Sequence, residues 1–130
     1  MPKPAMFMLF AIVALASGQG ETDLLAKYQS ESKANPNGSL PHFRIAELYL
    51  QQRNYHAAAN EFRAALTGDS EPSWIVVWSH INLGKIFDLT SQRDRAINEY
   101  HQAQRTKDNT RGALQEAERY LAAPYTMPEK

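Results

Sequence analysis

Four histidines (His42, His56, His80 and His101) and fourteen acidic residues are the groups in this 130-residue chain suited to metal binding or proton transfer near neutral pH. Their spacing argues against both roles. No His-x3-His or His-Glu-x2-His arrangement occurs, so no helix face would present two metal ligands. Asp94 with Glu99, and Glu116 with Glu118, are carboxylate pairs, but Arg93, Arg95 and Arg119 stand beside them, the pattern of a solvated helix face. Cysteine is absent, which removes thiolate nucleophiles, Cys-based zinc sites and disulfides. There is no glycine-rich phosphate loop. We expect no enzymatic activity, no cofactor and no metal.

Charge narrows the partner. Fourteen basic residues balance fourteen acidic ones, so no net field steers the chain toward a polyanion. No Lys/Arg cluster exceeds two residues, which argues against nucleic acid. Met1-Pro2-Lys3-Pro4 precedes an uncharged apolar run, Ala5 to Ala16, and Ala14-Leu15-Ala16 and Ala16-Ser17-Gly18 offer small residues at a cleavable spacing. This layout predicts a secretory signal peptide over 1–18, with cleavage and export to the periplasm or the extracellular space. The run is shorter than the ~20 residues a membrane span needs. No stable membrane span is expected after cleavage.

The elements downstream read as helices throughout. Thr22 to Lys33 is a first helix, ended by Ala34-Asn35-Pro36-Asn37-Gly38. Leu40 to Gln52, Tyr55 to Thr67, a longer helix ending near Leu89, Asp94 to Thr106, and Arg111 to Ala122 follow. Ser70, Glu71 and Pro72 look like the start of the fourth helix, with Ser70 as its cap and Pro72 in its first turn. Residues 123–130 contain two prolines and read as a flexible tail. The second and third helices recur as the fourth and fifth. His42 to Tyr49 aligns with His80 to Phe87, and Ala58-Ala59-Asn60-Glu61-Phe62 with Ala96-Ile97-Asn98-Glu99-Tyr100, at one 38-residue offset. A pattern repeated in phase means one helical hairpin used twice.

These words resemble the tetratricopeptide repeat (TPR), whose unit of about 34 residues carries large-x2-Leu-Gly-x2-Tyr, then Ala-x3-Phe. His80-x2-Leu83-Gly84-x2-Phe87 with Ala96-x3-Tyr100 matches it, as does Ile45-Ala46-x2-Tyr49 with Ala58-x3-Phe62. The chain is similar to a small exported bacterial-type member. The resemblance spans 22–122 as two full units flanked by half-repeat helices. It implies an all-α fold, a right-handed α-solenoid of stacked antiparallel hairpins. Small residues at Ala46, Ala58, Gly84 and Ala96 would let helices approach, with Tyr49, Phe62, Phe87 and Tyr100 filling the space beside them. Departures are His42 and His80 at the large first position, and four extra residues near Ser73-Trp74-Ile75-Val76, expected to make the fourth helix start early and protrude.

The resemblance also implies a non-enzymatic scaffold that binds a protein or peptide in a concave groove. Carried over residue by residue, that groove is Leu40, Phe43, Arg44, Glu47 and Leu50 from the second helix, Trp78, Ile81, Asn82, Lys85 and Asp88 from the fourth with Trp74 one turn before them, and Gln115, Glu116 and Arg119 from the last. Some family members clamp a C-terminal carboxylate with Lys, Asn and Arg. Here those places hold Phe43, Glu47, Asn82, Gly112 and Glu116, and Asn82 alone matches. An extended apolar or mixed ligand is therefore favoured over a carboxylate terminus. The competing expectation is a homo-oligomer docked through the protruding turn Trp74-Ile75-Val76-Val77.

Overall fold

The computed structural model describes residues 19–128; the expected signal peptide lies outside the described residues. Six α-helices follow in order: α1 (Gln19–Ala34), α2 (Ser39–Gln51), α3 (Tyr55–Thr67), α4 (Trp74–Leu89), α5 (Arg93–Arg105) and α6 (Ala113–Ala122), the last preceded by a 3-10 turn at Thr110–Gly112. No strand occurs among the described residues. No helix among them is long and apolar enough to cross a membrane. Each helix packs on its neighbours in sequence, and α4 also touches α2 and α6. Thus α2, α4 and α6 form one row, and α3 and α5 lie on the other side of their hairpins.

The duplication is written into the backbone. In the α2–α3 turn, Asn54 N–H donates to Tyr49 O, Arg53 N–H to Leu50 O, and Ala58 N–H to Asn54 O. In the α4–α5 turn, Gln92 N–H donates to Phe87 O, Ser91 N–H to Asp88 O, and Ala96 N–H to Gln92 O. Every donor and acceptor is displaced by the same offset as the sequence words. Even the strained residue recurs, with φ of 61° at Arg53 and 60° at Ser91.

The small residues sit where the repeat places them. Ala46, Ala58, Phe62, Ala96 and Tyr100 are fully buried, Phe87 nearly so, and Tyr49 half-buried. Gly84 shows the mechanism. A Cβ added there would lie 2.7 Å from Cδ1 and Cζ of Tyr100, and closer still to Cε1. In the first hairpin the equivalent pair is Ala46 with Phe62. Gly84→Ala is expected to destabilise the fold by about 1–3 kcal/mol through overpacking. An unchanged urea midpoint for this variant would mean that the α4–α5 crossing is not as tight as drawn.

The two histidines have a specific partner each. His42 Nδ1 lies 2.7 Å from Glu61 Oε1, and His80 Nδ1 lies 2.8 Å from Glu99 Oε1. A carboxylate only accepts, so the ring nitrogen donates. Both pairs tie the first helix of a hairpin to the second. The unusual histidine is thus matched by a glutamate that recurs at the same offset.

Three expectations about α4 are corrected. The helix begins at Trp74, and Pro72 precedes it instead of entering its first turn. Ser70 does not cap it: the Ser70 N–H donates to the buried hydroxyl of Ser39, which in turn donates to Ala65 O at 2.7 Å. The nearby Asp69 carboxylate accepts the N–H groups of Ser39 and Glu71, and these bonds hold its pKa below the usual value. Nor does the extra turn protrude. Ile75 and Val77 are fully buried, and Trp74 meets the Phe43 ring edge-on at 5.3 Å. The inserted turn extends the core between hairpins through Ile75 and Val77, while Trp74 and Val76 stay half-buried.

Candidate functional site

Helical spacing puts Arg44 and Glu47 on one face of α2. It does the same for Trp74, Trp78, Asn82 and Lys85 on α4, and for Glu116 and Arg119 on α6. Glu47 and Lys85 occupy equivalent positions of the two hairpins and carry opposite charges. Because α4 touches both α2 and α6, these charges share one face. Glu47 is acted on by Arg44, Arg111 and Lys85, and Lys85 by Glu116, Arg119 and Glu47.

The charges at the middle of the face are half-buried, and those at its edge are exposed. Burial pushes the Glu47 carboxyl up from 4.5 to about 7, against the lowering effect of Arg44, Arg111 and Lys85. Burial likewise lowers the Lys85 ammonium, opposed mainly by Glu116. Neither Glu47 nor Lys85 makes an ion pair within 4.0 Å among the described residues. The Glu116 Oε1 atom is buried without a hydrogen bond; Arg119 Nη1 lies 3.4 Å away, close enough for charge attraction but badly directed. Arg119 itself is 70% exposed, so that attraction is weak.

Aromatic rings enclose the lysine. Lys85 Nζ lies 6.0 Å from the Trp78 ring centroid, 5.5 Å from Tyr120 and 4.9 Å from Tyr125. Such distances let the ring faces attract the cation. Trp78 is oriented by its indole N–H, which donates to Thr110 O at 3.0 Å. Arg111 stacks over Trp74 with its guanidinium carbon 4.9 Å from the ring centroid. Arg111 and Gly112 both adopt left-handed backbone, with φ of 57° and 73°, which turns the chain into α6 and sets Arg111 over α4.

The groove residues expected from the sequence divide into two sets. Arg44, Glu47, Trp74, Trp78, Lys85 and Leu40 keep some accessible surface, and Arg119 is open. Phe43 and Ile81 are interior: Phe43 packs edge-on against Phe62 at 5.4 Å, and Ile81 is fully buried. Asn82 is 8% exposed. These three are too deeply buried to line a groove; Trp74 of the extra turn stands against Phe43, and Ile81 and Asn82 face the interior from α4 itself.

Sequence reasoning puts Asp88 among the groove residues and Tyr100 among the packing residues, but it does not show that the two, with Arg93, organise the far end of the face. The Asp88 side chain is 1% exposed and is a hub. Its oxygens accept Arg93 Nη1 at 3.0 Å, the Tyr100 hydroxyl at 2.7 Å and the Tyr125 N–H at 2.9 Å. Arg93 also donates to Leu121 O, linking α5 to the end of α6. The signal was a covariation inside the repeat. Leu50 and Phe62 of the first hairpin become Asp88 and Tyr100 in the second, so an apolar pair turned polar in both members.

The segment after α6, expected to be a flexible tail, carries one anchored residue. Tyr125 is half-buried, meets Tyr120 edge-on at 5.1 Å, and donates its hydroxyl to Met127 Sδ at 3.6 Å. Burial raises its pKa, as it does for Tyr120.

No group of three or more His, Cys, Asp or Glu residues that would hold a metal occurs among the described residues. No protein-family model matches the chain, and no curated protein matches it.

Proposed function

We propose that this chain is a non-enzymatic, TPR-like adaptor that holds a protein or peptide segment on the face formed by α2, α4 and α6. In this reading the six helices stack as a right-handed α-solenoid and that face is its concave side. The observation that carries the reading is the row Glu47, Lys85 and Glu116. Glu47 and Lys85 are half-buried and the Glu116 Oε1 atom is buried, yet none is closed off by an ion pair of good geometry within the chain. Withdrawn charges without matched partners destabilise a fold, so their retention points to a ligand that completes them. Trp74 and Trp78 supply apolar contact area beside them, as aromatic anchors do at interfaces. Apolar residues 5–16 and the small residues behind them support action outside the cytoplasm.

A photocrosslinking amino acid placed at Arg44 or Lys85 is expected to give discrete adducts in native cells. The same probe at Asn60 or Asn98, exposed on α3 and α5, is expected to give none. Adducts that come equally from both faces, or from the outer helices alone, would remove the assignment.

A further inference from the structure

The tail residue Tyr125 occupies a place that other residues have prepared. Its backbone N–H reaches a carboxylate that α4 holds in the interior, its ring stands against Tyr120, and the Lys85 ammonium faces it at 4.9 Å. Little else holds the segment: 124–128 has no regular structure, and Pro124, Thr126 and Pro128 are exposed. We propose that the hollow beside Lys85, Asp88 and Tyr120 is a subsite for an aromatic side chain on an extended, proline-flanked peptide, and that Tyr125 fills it in cis until a partner displaces it.

The chemistry of the hollow favours this ligand class. Asp88 has spent its other interactions on Arg93 and Tyr100, and what remains accepts one backbone N–H. A cation and a ring edge make a receptor for an aromatic face. Proline on either side of the aromatic keeps the segment extended and lowers its ordering entropy. Pro124-Tyr125-Thr126-Met127-Pro128 has that form. The inference rests on the binding-face reading, and it adds the kind of residue recognised and a gate.

Tethering sets the size of the effect. A short flexible linker holds a cis segment at an effective concentration on the order of 1 mM. A free peptide with a Kd of about 0.1 mM would then bind the closed chain roughly tenfold more weakly than the open one.

The test uses a fluorescein-labelled synthetic peptide of residues 122–128 and fluorescence anisotropy against the full chain. Tyr125→Ala is expected to bind it at least about tenfold more tightly than the unaltered chain, with helicity by circular dichroism unchanged. Tyr125→Phe keeps the ring and is expected to bind as weakly as the unaltered chain. A peptide carrying Tyr125→Ala is expected not to bind at all. Equal binding by the unaltered and Tyr125→Ala chains overturns the proposal, as does equal binding of the two peptides. Dimers of the unaltered chain that vanish with Tyr125→Ala would also overturn it, by showing exchange of the tail between copies. Any of these leaves the binding face standing if crosslinks still form at Arg44, whereas loss of those crosslinks removes the face itself.

Discussion

Asp88→Ala is expected to lower the unfolding free energy by about 3–5 kcal/mol, the usual loss when one member of a buried ion pair is removed. The argument is one of leftover groups. The side chain is 1% exposed and accepts from Arg93, Tyr100 and Tyr125. Without it, Arg93 keeps a charge that is only 30% exposed, and the Tyr100 hydroxyl loses its acceptor inside the core. Burial and the Asp88 carboxylate together already hold the Tyr100 phenol well above its usual pKa, so ionisation offers it no escape. Urea unfolding followed by circular dichroism measures this directly. A midpoint that falls with an unchanged m-value supports the hub. A loss below about 1 kcal/mol would place the polar triad at the surface, where such groups contribute little. A double replacement, Asp88→Leu with Tyr100→Phe, restores the apolar chemistry of Leu50 and Phe62 and is expected to recover part of the loss.

Glu47→Gln is expected to act in the opposite direction, and to do so according to pH. The folded chain holds the Glu47 proton to about pH 7, whereas a solvated glutamate releases it near 4.5. Between these values the native state binds more protons than the unfolded state, so stability falls as pH rises. Below about pH 4.5 the carboxyl is neutral in both states and the penalty is absent; above pH 7 it is complete. Glutamine is neutral throughout. The variant should therefore match the parent near pH 4.5 and exceed it by about 2–3 kcal/mol at pH 8. Thermal unfolding across that range reads the difference as a gap that opens with pH. A constant gap would show that amide packing, not desolvated charge, explains the effect. If the same variant also weakens crosslinking from Arg44, then the chain keeps an unfavourable group for the sake of its ligand.

The sequence was informative where one rule acts on a whole element. Helix positions followed from periodicity, and the small residues at 46, 58, 84 and 96 are all in the interior, as the repeat requires. It was misleading at the α3–α4 junction. Ser70 and Pro72 have the composition of a helix start, but long-range bonds from Ser39 claim that backbone first. No local pattern reports a partner more than thirty residues away. The candidate site was half legible for a related reason. Face membership can be read from spacing, which located Glu47 and Lys85. Depth cannot, so spacing assigns Phe43, Ile81 and Asn82 to a groove although all three are buried. Tyr125 had no sequence signal at all, since a proline-flanked tyrosine reads as tail until Asp88 is known to await an N–H.

The two histidine–glutamate latches carry a consequence for the growth of such a molecule. Each hairpin is fastened by its own pair and turned by its own left-handed residue, set at the same places in both. The device that closes a unit therefore travels with the unit, while contacts such as Trp74 on Phe43 join one unit to the next. Copies can be inserted or deleted between the same joints, and the length of the array becomes a quantity that evolution, or an engineer, can adjust independently of the stability of any single step.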